Sequence, residues 1–365
     1  MSKAAELAAL IGGQKALGDK NLIINGAMTI DERHSGSSFT VVNGNATTGV
    51  IADRFRVNEA SGAEFTAQRV ADAPVGFEYS SKLTVTTADS SLGSTEFHRV
   101  IQPIEGKNIS NLNWGTSNAK TLTLTFYVKS SLTGQYYISV FNNAADRTLL
   151  KGYTIDSANT WEKKTITIIG DQTGTWLTTN AVGIHLMWSL GTGSTYQSST
   201  LDAYQAGFYM AKSDQVNLAA TNSSTWQLTG VQLEVGDVAT AFEHEDIGTT
   251  LAKCQRYYFK VQHSYGSIEI GSGLETTTTQ ARIFVPFPVE MRSHPTAVET
   301  STTAGNFDIT HNDSVIISNA VPTFVNANTT GASVYFAHAS GGTQGQGCTG
   351  RLRVADTFLA WSAEL

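Results

Sequence analysis

A chain of 365 residues is long enough to bury sizeable cores in two or three domains. Its composition is 41% apolar, too high for a disordered chain, and 15% charged, too low for a coiled coil. With 24 basic against 31 acidic residues the formal charge is −7, and a nucleic-acid partner is not expected, because phosphate binding needs clustered Lys and Arg.

Residues 1–20 read as a short N-terminal helix: Ala4, Ala5, Ala8, Ala9 and Ala16 favour it, and Leu7, Leu10, Ile11 and Leu17 gather on one side. Gly12-Gly13 weakens its middle, and a helix this short is marginal alone in water. It is either a frayed end or an attachment segment whose stripe is covered by sister chains or by a socket on another protein. The apolar run Leu7–Ile11 is too short for a secretory core. From Asn21 the period becomes two. Thr121–Val128 sets Leu122, Leu124, Phe126 and Val128 against Thr121, Thr123, Thr125 and Tyr127. Tyr136–Phe141, Lys164–Ile169, Val182–Trp188, Tyr204–Met210 and Gln227–Val235 behave alike, with Gly, Asn, Asp and Ser clusters between them. Short alternating strands without intervening helices predict an antiparallel sandwich over 21–247. Leu251, Cys254, Gln255 and Tyr258 predict a connector helix over 248–259. A smaller antiparallel sandwich follows over 260–365, with strands at Ala281–Phe287, Val315–Ile317, Ser333–Ala337, Arg351–Val354 and Thr357–Ala363, and the five glycines of Gly341–Gly350 reading as a loop. The fold class is all-β.

Catalytic signatures are missing: there is no H-E-x-x-H, no G-x-S-x-G, and no Walker or dinucleotide glycine pattern. Cys254 and Cys348 are too few for a disulfide framework and lack ligand spacing. No apolar run approaches the ~18 residues of a membrane span, so no membrane insertion is expected. Glu243-His244-Glu245-Asp246 is the densest polar cluster and reads as a solvated loop between the sandwiches. A hydrolytic pair of carboxylates could come from Asp146, Asp156, Asp171 and Asp202, all in predicted loops. No catalytic residue and no cofactor is assigned.

Aromatic residues carry the functional reading, since an exposed ring can stack on a sugar while Asn, Gln and His bond its hydroxyls. Trp188 shares its strand face with Ile184 and Leu186 and belongs in the core, whereas His185 faces the other way with Met187. Trp161 precedes an alternating strand and reads as structural. Trp114 and Trp176 lie among Asn, Gly and Thr and are expected to be exposed. Trp114, Trp176 and His185 are therefore the candidate glycan-binding residues.

Asn21-Leu22-Ile23-Ile24-Asn25-Gly26 at the start and Gly230-Val231-Gln232-Leu233-Glu234-Val235-Gly236 at the end of the large sandwich resemble the outer strands of jelly-roll carbohydrate-binding modules. Together with Asp53-Arg54-Phe55, Ala241-Phe242-Glu243-His244, Ala252–Tyr258, Phe287–Arg292 with Pro295, and Ser362–Leu365, the ordered set resembles tailed-bacteriophage virion proteins of the tail-fibre or receptor-binding type. The resemblance implies a homotrimer on the virion. Leu7, Leu10, Ile11 and Leu17 would contact other virion proteins, and host-surface polysaccharide would be the ligand. A capsid decoration or head-fibre protein, or a glycan depolymerase, are the alternative readings. The acids that would hold a structural Ca²⁺ in such modules are displaced here to Asp31 and Glu32, with Glu234 alone at the far end, so no metal is expected.

Overall fold

Most of the period-two alternation becomes strand, and the computed structural model describes residues 20–43, 49–262, 264–312 and 314–365. The helix expected over residues 1–20, with Leu7, Leu10, Ile11 and Leu17, lies outside the described residues apart from Lys20. The chain divides into two compact units, the first ending at Thr250 and the second running Leu251–Glu364. The fold is all-β, built from antiparallel sheets.

Among the described residues the first unit has thirteen strands: β1 (Phe39–Val41), β2 (Val50–Ala52), β3 (Phe55–Ala60), β4 (Glu64–Val70), β5 (Ser80–Thr87), β6 (Phe97–Glu105), β7 (Leu122–Ser130), β8 (Gly134–Phe141), β9 (Arg147–Ile155), β10 (Glu162–Ile168), β11 (Val182–Thr192), β12 (Tyr204–Ala206) and β13 (Thr225–Val235). They form a six-stranded sheet, β1-β4-β5-β13-β7-β10, and a seven-stranded sheet, β12-β9-β8-β11-β6-β3-β2. The inward faces share one core, to which Leu124, Phe126, Leu228 and Leu233 contribute from one sheet and Val100, Ile138, Leu186 and Trp188 from the other. This is a jelly-roll sandwich. The strand expected over Tyr204–Met210 stops at Ala206, because residues 207–216 leave the sheet edge and bond its outer face instead.

The opening and closing motifs of the resemblance are ties between the two ends of this sandwich. Asn21 donates from Nδ2 to the Val231 carbonyl at 3.0 Å, and its Oδ1 accepts from the Leu233 amide at 2.9 Å. Gln232 accepts from the Glu243 amide at 2.7 Å, and Glu243 in turn accepts from the Asn21 amide at 2.9 Å. A Cβ at Gly26 would lie 2.0 Å from the Val231 oxygen, so only glycine lets the opening segment approach the last strand so closely. Arg54 is buried and donates to the Pro103 carbonyl at 2.7 Å, while Phe55 enters the core. Glu59 and His98, paired in register across β3 and β6, bury a carboxylate–imidazole contact of 2.9 Å.

Asp246 caps the helix α1 (Ile247–Gln255), accepting from the Gly248 and Thr249 amides at 2.9 and 3.2 Å. The helix ends earlier than the expected residue 259, since Tyr258 already opens β14 (Tyr258–Gln262). The second unit continues with β15 (Ile268–Thr277), β16 (Gln280–Pro286), β17 (Glu299–Thr300), β18 (Phe307–His311), β19 (Ser314–Ile317), β20 (Thr323–Ala327), β21 (Gly331–Ala337), β22 (Gly347–Leu352) and β23 (Phe358–Ser362). Sheets β14-β23-β17 and β19-β18-β22-β15-β16-β21-β20 enclose Ile283, Val334, Phe336 and Trp361. The loop expected over Gly341–Gly350 is half strand: Gly347–Gly350 pair with β15, and a Cβ on Gly350 would meet Ile283 at 2.9 Å.

Candidate functional site

Two of the three candidate ligand residues are inside the protein. Trp114 and Trp176 are 7% and 6% exposed and meet edge-to-face at 4.7 Å, with Tyr204 against both rings. Both indole nitrogens are used internally: Trp114 donates to the Lys120 carbonyl at 2.8 Å and Trp176 to Asp171 at 3.2 Å. The expectation of exposed stacking faces is corrected. Their polar neighbours, such as Asn113, Thr116 and Thr173, do face solvent, but the two rings turn inward beneath them, and the loop is held by the bidentate pair of Arg147 on the buried Asp171 at 2.7 and 2.9 Å. The other loop aspartates are similarly engaged: Asp146 accepts from Asn142, Asp156 from Lys164 and Asp202 from Lys151. Trp188 is fully buried, as its strand face required. Trp161 is half-buried, its indole nitrogen 3.4 Å from Asp72 and its ring under the Lys129 ammonium.

His185 does lie on the face turned away from the core, and the structure gathers other residues around it. Alternation along β11 points His185, Met187 and Ser189 outward while Ile184, Leu186 and Trp188 point in. Register then sets Asn58, Arg99, Ser189 and Tyr137 in one row across the seven-stranded sheet, and Pro103, His185, Phe141 and Thr148 in another. The segment after β11 folds over part of this face. Ser139 donates to the Tyr209 carbonyl and Thr148 to that of Gly207, each at 2.7 Å, and Ser189 donates to Gln215 at 3.0 Å.

Three half-buried rings surround the Arg99 guanidinium. Phe97 and Tyr196 meet edge-to-face at 5.7 Å, Tyr196 and Phe208 at 5.6 Å, and the guanidinium carbon lies 4.7 Å from the Phe97 ring centre and 5.7 Å from that of Phe208. Phe208 continues onto Phe141 at 4.9 Å, which stacks on His185 at 4.5 Å. Rings half open to solvent beside hydrogen-bonding groups can take the apolar face of a sugar and its hydroxyls together. Phe97, Arg99, Tyr196 and Phe208 escape a sequence reading because two come from β6 and two from the connection between β11 and β13, Tyr196 at the end of a short 3-10 turn and Phe208 just past β12. The signal for the first two is the alternation Phe97-His98-Arg99-Val100-Ile101, which puts an arginine between two apolar side chains on the outer face.

Burial, with Arg99 and Arg56 nearby, holds the His185 imidazole at about 3, far below its ordinary 6.5. Between those values an unfolded chain carries a proton here that the folded protein does not, so stability falls as pH drops below roughly 6.5. Replacing His185 by Phe should flatten that part of the stability–pH curve between about pH 4 and 6.5. An unchanged slope in denaturant titrations would show that the ring titrates normally.

Among the described residues no group of three or more His, Cys, Asp or Glu is placed to hold a metal ion. Both cysteines are buried, and burial with Glu275 nearby lifts the Cys348 thiol to about 11.

No protein-family model matches the sequence, and no curated protein sequence matches it. Solved structures that match part of the chain include the enzymatically active domain of bacteriophage CBA120 tailspike protein 4, at 12% identity and TM-score 0.33, over 60% of this chain and 22% of that one. A CBM4 structure is similar at 15% identity and TM-score 0.31, over 58% of this chain and 98% of that one. A family 11 carbohydrate-binding module from Clostridium thermocellum, solved with a β-1,3-1,4-mixed-linked tetrasaccharide, is similar at 10% identity and TM-score 0.29, over 56% and 99%.

Proposed function

We propose that this chain is a non-enzymatic virion protein of the tail-fibre type that binds host-surface glycan through the outer face of its seven-stranded sheet. The observation that carries the reading is the half-open arrangement of Phe97, Tyr196 and Phe208 around Arg99, on the face opposite the core. Stacking and hydrogen bonding of this kind bind one site weakly. Several copies on one particle convert that into useful avidity, which fits a homotrimer anchored to other virion proteins through residues 1–20. Light scattering should then give a trimer.

Affinity electrophoresis through gels containing bacterial surface polysaccharides tests the glycan reading. Retardation is expected for the intact chain and should weaken about tenfold or more in Phe208→Ala, since base-like or sugar-like stacking on a ring contributes on the order of 1–3 kcal/mol. The polysaccharide should keep its reducing-end count, which a depolymerase would raise. Retardation unaffected by Phe208→Ala would move the site elsewhere.

A further inference from the structure

Several partly buried arginines of this protein are paired with carboxylates, and two of them bidentately. Arg147 grips Asp171 with two bonds of 2.7 and 2.9 Å, and Arg351 grips Asp308 with two of the same lengths. Arg99 has neither. Its Nε donates to the Asn58 amide oxygen at 3.3 Å, and its Nη1 approaches the Met187 sulfur at 3.6 Å; both partners are neutral and both contacts are long. Among the described residues no carboxylate forms an ion pair with it, although the chain has more acids than bases. Burial, with Arg56 adding like charge, pulls the guanidinium down to about 10. A desolvated cation without a counter-charge destabilises the fold that holds it, and the planar guanidinium fork fits a carboxylate, sulfate or phosphate through paired bonds.

We propose that Arg99 receives the anionic group of an acidic glycan, whose sugar ring lies against Phe97, Tyr196 and Phe208. The proposal rests on the glycan-binding reading above and adds the class of glycan. The missing counter-ion is supplied by the ligand, so binding relieves the desolvation that the free protein bears. The three rings also exclude water from the pair, which strengthens a charge-assisted bond relative to one at an open surface. The uronate or sialate carboxylate, a sugar sulfate and a sugar phosphate share this chemistry.

The test is a binding panel of polygalacturonate, alginate, hyaluronate and polysialate, each beside its carboxyl-reduced neutral form, with dextran sulfate and a phosphomannan as the other anionic arms. The intact chain should bind at least one anionic member, more tightly than its neutral counterpart, with affinity falling as salt rises. Arg99→Gln should weaken that binding by about tenfold to a hundredfold while leaving the affinity for the neutral form unchanged. Its thermal midpoint should stay or rise, because a half-buried cation without a carboxylate partner has been removed. Arg99→Lys keeps the charge without the fork, and should lose about tenfold if paired bonds matter. Equal affinity for charged and neutral forms, or equal loss on both in Arg99→Gln, would overturn the proposal while glycan binding stood. A lower midpoint in Arg99→Gln with unchanged binding would make Arg99 structural and overturn it as well. Binding to no member of the panel, charged or neutral, would overturn this proposal and the glycan reading together.

Discussion

Replacing Trp176 by alanine is expected to cost about 3–5 kcal/mol of stability in the first unit, the usual loss for a buried tryptophan. For a unit of this size that lowers the melting midpoint by roughly 6–20 °C. The cost has two sources. The side chain is 6% exposed and packs edge-to-face on Trp114 at 4.7 Å, so its removal leaves a large cavity. Its indole nitrogen also donates to Asp171, the carboxylate that holds Arg147, so the loss loosens the loop between β10 and β11. Trp114→Ala should behave alike. Trp161→Ala, on the half-buried ring beside Asp72 and Lys129, should cost no more than about 1–2 kcal/mol, because little cavity forms at a half-open site. Differential scanning calorimetry separates the three. A midpoint unmoved by Trp176→Ala would mean that the ring is a surface residue after all.

Breaking the Glu59–His98 pair should be comparably damaging. Both side chains have zero exposure, 2.9 Å apart, and the second imidazole nitrogen faces the Asn217 oxygen at 3.0 Å. The Asn217 amide nitrogen donates to the Asp89 carbonyl, which orients its oxygen toward the histidine. Removing one partner of such a pair leaves a buried polar or charged group without its bond, and costs about 3–5 kcal/mol. His98→Leu or Glu59→Leu alone should therefore lose that much, whereas the double variant should recover a large part of it, as buried pairs replaced by apolar groups commonly do. Five of the six tryptophans precede Thr250, so fluorescence-monitored denaturation reports chiefly on the first unit. Additive losses in the double variant would show that the contact carries no coupling.

The antiparallel strands were legible because alternation is a local property. Leu122, Leu124, Phe126 and Val128 can face only one way along an extended chain, and the core of the first unit takes all four. The same logic placed Trp188 inside and His185 outside, since two neighbours on a strand cannot share a face. Alternation fails where the chain is not extended. Trp114 and Trp176 sit in turns, where composition suggested solvent, but their burial depends on segments far away in sequence: the β9 arginine, Tyr204 and the Lys120 carbonyl. The motifs Asn21–Gly26 and Val231–Glu234 were recognisable as a set, yet their hydrogen bonds across more than two hundred residues belong to the folded state. The candidate site is of the same kind. Arg99 is set by its place on β6, but Phe208 reaches it because Ser139 and Thr148 bond the carbonyls on either side of it, and Tyr196 is joined to the same segment by the Met210 amide. The sequence by itself therefore determined the all-β class and which face each strand residue takes, because both follow from spacing along one strand. Only the tertiary structure decided which aromatic rings are open and which charge lacks a partner, because burial and pairing are set by neighbours that the chain brings together only on folding.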